Sequence, residues 1–170
     1  MKMAALQMVS GTDLSANLAT ARRLLEQAAH LGAELAVLPE YFCLMGQRDA
    51  DKLTLAEQPG HGPIQAMLGQ AARELGLWVV GGTLPMATPD PARVANTTLV
   101  FNPQGECAAR YDKIHLFRFD NGRERYDEAA VLVRGHEPVS FTLTPREGNP
   151  IRVGLSVCYD LRFPELYRLL

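Results

Sequence analysis

Two amphipathic stretches, each ended by a glycine and followed by a short apolar run, constrain the fold of this chain more than any other feature. Over residues 14–31 the apolar positions Leu14, Leu18, Ala21, Leu24, Leu25, Ala28 and Leu31 recur at three- and four-residue spacing. That is the period of a helix with one buried face. Asp13 stands where an N-cap accepts free backbone amides, and Gly32 where a helix can close. A second helix is expected over residues 62–75, closed by Gly76. Short apolar strands are expected over residues 4–9, 34–38 and 77–84, the last carrying a Gly81-Gly82 pair that suggests a bulge or a close backbone approach. A hairpin follows over 95–101 and 106–111, joined by Asn102-Pro103-Gln104-Gly105. Residues 114–138 show no clean periodicity, and two further strands are expected over 139–143 and 151–157. This order predicts an α/β fold, a mixed sheet with helices packed on one face, and one domain over residues 1–170.

Composition narrows the function. With Lys plus Arg at 17 and Asp plus Glu at 19, the formal net charge is -2, and no basic stripe invites nucleic acid or an anionic membrane. No apolar run approaches the roughly 20 residues that span a bilayer. The three cysteines, Cys43, Cys107 and Cys158, form no CxxC pair. That fits a reducing, cytoplasmic setting better than a disulfide framework or zinc site, and no metal is expected.

Three positions place a reactive side chain at a strand end, where α/β sheets build their sites. Glu40 follows Leu38-Pro39 among apolar and aromatic neighbours, which would favour a general base, although a solvated loop glutamate fits the spacing as well. Lys113 in Tyr111-Asp112-Lys113-Ile114-His115-Leu116-Phe117 could face a developing oxyanion, or could be a surface lysine paired with Asp112. Cys158 ends an apolar strand before a helix expected from Pro164, whose positive end would lower the thiol pKa; the competing reading is a buried, inert cysteine. Cys43 and Cys107 read as packing residues. Gly81-Gly82 lacks the spacing of a phosphate loop, so no nucleotide cofactor is expected.

Leu38-Pro39-Glu40, the segment around Lys113 and Cys158-Tyr159-Asp160-Leu161-Arg162-Phe163-Pro164-Glu165, in this order, resemble the nitrilase (carbon–nitrogen hydrolase) superfamily. The resemblance covers essentially the whole chain and is closest to the branch acting on ω-amides of 2-oxo acids and on deaminated glutathione. It implies an α-β-β-α sandwich, here truncated at the C-terminus, and a homodimer at full length. It also implies a catalytic set of Glu40, Lys113 and Cys158, with Glu128 as the second glutamate and Glu124 as its rival. Arg162 and Tyr159 are assigned to substrate binding, with an Arg162–Glu165 ion pair as the alternative for Arg162. The implied activity is hydrolysis of a small carboxylate-bearing amide through a cysteine thioester, without cofactor. Two other readings stand beside it: a non-catalytic module of the same fold, and a Cys–His hydrolase using His115.

Overall fold

The computed structural model describes residues 1–170. Strand β1 (Met3–Ala5) leads into helix α1 (Leu14–His30), whose N-terminus is capped as expected by Asp13, accepting from the Ala16 amide at 3.1 Å. Strand β2 (Leu35–Val37) follows, then helix α2 (Pro63–Leu75), which ends at Gly76 in the left-handed conformation. Strands β3 (Trp78–Val80), β4 (Leu84–Ala87), β5 (Val94–Phe101) and β6 (Cys107–Asp112) come next. A small hairpin, β7 (Arg118–Asp120) with β8 (Arg125–Asp127), precedes β9 (Leu132–Val133). Strands β10 (Ser140–Leu143) and β11 (Ile151–Gly154) pair antiparallel, and helix α3 covers Pro164–Leu169.

The main sheet has seven strands. It runs β1-β2-β3 in parallel, then turns antiparallel at β5, which also pairs β4, β6 and the short β9. Helices α1 and α2 cover one face, burying Leu25, Leu68 and Ile64 against Ala36, Val79 and Leu84. The other face packs through Leu35, Val100 and Tyr111 onto Phe141, Leu143, Leu155 and Val157 of the β10–β11 region. Beyond that pair of strands, Leu170 just past α3 lies against Gly154 on the outer face of β11. The layers therefore run helix, sheet, sheet, helix. The third layer is two strands wide and the fourth six residues long.

Four expectations change, one being the strand expected over 151–157, which stops at Gly154 and leaves Cys158 four residues beyond its end. The first strand stops at Ala5 rather than residue 9, because β2 offers partners only to Val37 before Leu38-Pro39 breaks the ladder. The strand expected over 77–84 splits into β3 and β4 at Gly81-Gly82. Gly82 has φ +52°, and a Cβ there would run into the Pro39 carbonyl, so only glycine lets this turn close on the loop that carries Glu40. The unpatterned stretch 114–138 contains β7, β8 and β9. Its hairpin is exposed on both faces and so never alternates.

Candidate active site

Four of the residues singled out in the sequence converge beyond the ends of β2, β6 and the segment after β11. Lys113, next after β6, is fully buried rather than a surface lysine, and Asp112 instead pairs with Arg110 and Thr97. The Lys113 ammonium donates to Glu40 Oε1 at 3.1 Å and to Glu128 Oε1 at 3.0 Å. Burial alone would lower its pKa, but the two carboxylates outweigh that and hold it above the ordinary lysine value. Glu40 sits in a polar setting rather than an apolar one: Asn96 Nδ2 donates to the same Oε1 at 2.8 Å. Glu128 also accepts from the Phe117 amide at 2.7 Å. Glu124 lies in the exposed β7–β8 turn, its amide bonded to Asn121, and takes no part in the cluster.

Cys158 has φ +49°, a left-handed backbone rare for a residue with a side chain. It is exposed rather than buried. The thiol pKa lies above its ordinary value, first through desolvation and then through the negative charge of Glu40; Lys113 opposes the rise. This corrects the expectation that a helix N-terminus would lower it. A 3-10 turn over Cys158–Arg162 separates the thiol from α3, which starts only at Pro164. A thiol so placed needs a base to lose its proton, and Glu40, which lines the same small cavity, is the carboxylate whose charge bears on it.

The cysteine turn is held by Asp160, a residue without an assigned role in the sequence reading. Its fully buried carboxylate accepts from the Val157 amide at 2.9 Å, Tyr111 Oη at 2.6 Å and the His115 amide at 2.9 Å. His115 Nδ1 lies 2.7 Å from the same carboxylate, and its ring stacks on Phe163 with centroids 3.6 Å apart. These bonds lock the segment bearing Lys113 to the segment bearing Cys158. His115 makes no hydrogen bond to Cys158, and its ring is stacked on Phe163, so the structure offers no Cys–His pair. Asn96 was missed for a different reason: it is a buried residue inside β5, 56 positions from the glutamate it orients. Asp160 carried one signal, an acid two residues after the cysteine between apolar neighbours.

Tyr159 is half-buried, packed edge-to-face against Phe117 and Phe163 at 5.3 and 5.4 Å. Arg162 is exposed and forms no ion pair with Glu165 or any other residue. The largest cavity, about 750 Å³ between α2 and the β5–β6 hairpin, contains none of the converging residues. Smaller cavities adjoin them: one of about 130 Å³ touches Glu40 and Cys158, and one of about 210 Å³ touches Tyr41 and Glu128. No three His, Cys, Asp or Glu side chains are grouped to hold a metal ion, and no helix is long and apolar enough to cross a membrane.

Comparison with known proteins points the same way. The carbon–nitrogen hydrolase family matches residues 2–170. A deaminated glutathione amidase of Yersinia enterocolitica is 36% identical over 99% of this chain and 57% of its own length. A chloroplastic omega-amidase of Arabidopsis thaliana is 33% identical over 91% of this chain and 41% of its own. Among solved structures, the C. elegans NitFhit protein superposes with a TM-score of 0.82 at 33% identity, covering 96% of this chain and 39% of that one. The chain thus spans little more than half the length of the first of these relatives.

Proposed function

Because this chain belongs to the carbon–nitrogen hydrolase family, we propose that it hydrolyses a small carboxylate-bearing amide to the acid and ammonia through a thioester on Cys158. One observation carries the reading: a fully buried ammonium, Lys113, bridges Glu40 and Glu128 at 3.1 and 3.0 Å beside the Cys158 thiol. Buried charges are retained where each is paired, and such a cluster at strand ends is a functional arrangement.

The steps follow from the groups present. Glu40 takes the thiol proton, and the thiolate attacks the amide carbonyl carbon. Negative charge then grows on the carbonyl oxygen, where the Lys113 ammonium and the backbone N–H of Tyr159 stabilise it. The C–N bond breaks as Glu40 returns its proton to the departing nitrogen, which leaves as ammonia. A water deprotonated by Glu40 attacks the thioester carbonyl, and collapse restores the thiol and releases the acid. Glu128 holds the Lys113 ammonium in place. Arg162, unpaired and exposed, is free to meet a substrate carboxylate, and Tyr159 supplies an aromatic wall.

The substrate class rests on the similarity to a deaminated glutathione amidase and an omega-amidase. Ammonia release from 2-oxoglutaramate and from deaminated glutathione is the expected outcome, with less from amides lacking a carboxylate. A folded chain that releases no ammonia from any of them would leave a non-catalytic module as the reading. A cytoplasmic, reducing setting suits three unpaired cysteines, one of them a nucleophile. A homodimer at full length is supported by the apolar side chains of Leu161, Tyr167 and Leu169, exposed on and just before α3; light scattering of the full-length protein at one chain's mass would contradict it.

A further inference from the structure

Directly after Glu40, the backbone of Tyr41 takes φ +54°, and its amide donates to Thr83 Oγ1 at 2.8 Å. This unusual conformation delivers the ring to the cavity of about 210 Å³ that it shares with Lys52, Phe117, Tyr126 and Glu128. One face of the ring carries the Lys52 ammonium, 4.5 Å from its centroid. Lys52 is itself only 11% exposed and is paired with Asp49 at 2.9 Å. The hydroxyl at the far end of the ring is inaccessible to solvent and has no hydrogen-bond partner.

An orphaned buried hydroxyl is unfavourable, and nothing in packing requires it. Phenylalanine would fill the same space and offer the same face to Lys52. Tyr41 Oη bonds neither nearby carboxylate: the bonds of Glu40 go to Asn96 and Lys113, and those of Glu128 to Lys113 and the Phe117 amide. Burial, followed by the negative charges of Glu128, Glu40, Asp49 and Cys158, keeps the phenol protonated. The group is a donor waiting for an acceptor.

Building on the amidase reading above, we propose that Tyr41 contacts the substrate, its hydroxyl donating to an oxygen carried on the acyl chain of the bound amide. Lys52, already paired with Asp49, braces the ring face, so the selection rests on the hydroxyl and the acceptor it meets, such as an oxygen of a distal carboxylate. Tyr41 thereby selects amides whose acyl chain bears an acceptor over plain aliphatic amides of equal length. A site built to bond an oxygen rejects an analogue lacking it, because its own polar group is then left unpaired.

Succinamate and butyramide form the test pair, since a carboxylate in one replaces a methyl in the other. With Tyr41→Phe, the kcat/KM for succinamate is expected to fall by about tenfold or more while that for butyramide stays within about twofold. Equal falls for both amides, or no fall for either, would overturn the assignment. Calorimetric binding of the same amides to Cys158→Ala, with and without Tyr41→Phe, reads the contact without turnover, and the same selective weakening of succinamate is expected. Failure of Cys158→Ala to bind succinamate also overturns it. Selective binding without ammonia release by the unsubstituted chain would sink the amidase reading and leave this contact standing.

Discussion

Replacing Lys113 by methionine is expected to lower kcat/KM for amide hydrolysis by about a thousandfold or more. The ammonium is the only cation between Glu40 and Glu128 and the group best placed to meet the oxyanion. Methionine fills much of the lysine volume, so the loss would come from charge rather than from a hole. Stability should fall as well, because Glu40 and Glu128 would be left facing one another without a counter-charge. Removing one partner of a buried ion pair costs about 3–5 kcal/mol. The lower end of that range is expected here, since the two carboxylate side chains keep 22% and 17% of their exposure. Denaturant midpoints read the stability change, and ammonia release reads the activity. A variant that retains turnover within tenfold would show that the ammonium has no part in the chemistry.

Glu40→Gln separates two roles that a simple loss of activity would merge. The amide keeps an oxygen able to accept from Lys113 and Asn96, so the local hydrogen bonds can persist, but it cannot take a proton. Turnover is expected to fall by about two to four orders of magnitude, the usual contribution of a positioned acid–base group. The thiol should respond in the opposite sense. Its pKa is raised by desolvation and by the Glu40 charge, and lowered by Lys113. Removing the Glu40 charge deletes a raising cause and leaves the lowering one, so the thiolate forms at lower pH. Alkylation by iodoacetamide followed against pH should therefore shift to lower pH in the variant while hydrolysis is nearly lost. A profile that stays put or moves upward would contradict the placement of Glu40 beside the thiol.

What the sequence disclosed, and what it hid, divides along physical lines. The spacing from Leu14 to Leu31 was legible because one helix face is buried and the other is wet, and Asp13 and Gly76 mark helix ends by chemistry that is local. The β7–β8 hairpin was illegible because neither of its faces is buried, so no alternation could develop. The split at Gly81-Gly82 was half legible: the pair announced a close approach, but its partner, the Pro39 carbonyl, is remote in sequence. Within the site, Glu40, Lys113 and Cys158 stood out as reactive side chains at strand ends. The family resemblance favoured Glu128 over Glu124, and of the two only Glu128 bonds Lys113. Asn96 and Asp160 were hidden because their importance lies in long-range hydrogen bonds, which leave no local pattern. The thiol pKa departs from what proximity to a helix suggests: a 3-10 turn intervenes, and the charge that weighs most on the thiol is a carboxylate.

Cys158→Ala offers the most direct test of the thioester mechanism. The substitution removes one sulfur, and the turn that carries it remains anchored by Asp160 to Val157, Tyr111 and His115. Circular dichroism should therefore match that of the unsubstituted chain. Ammonia release from 2-oxoglutaramate is expected with Cys158 and should be absent with alanine at that position. Release that survives in the folded alanine variant would contradict nucleophilic attack by Cys158.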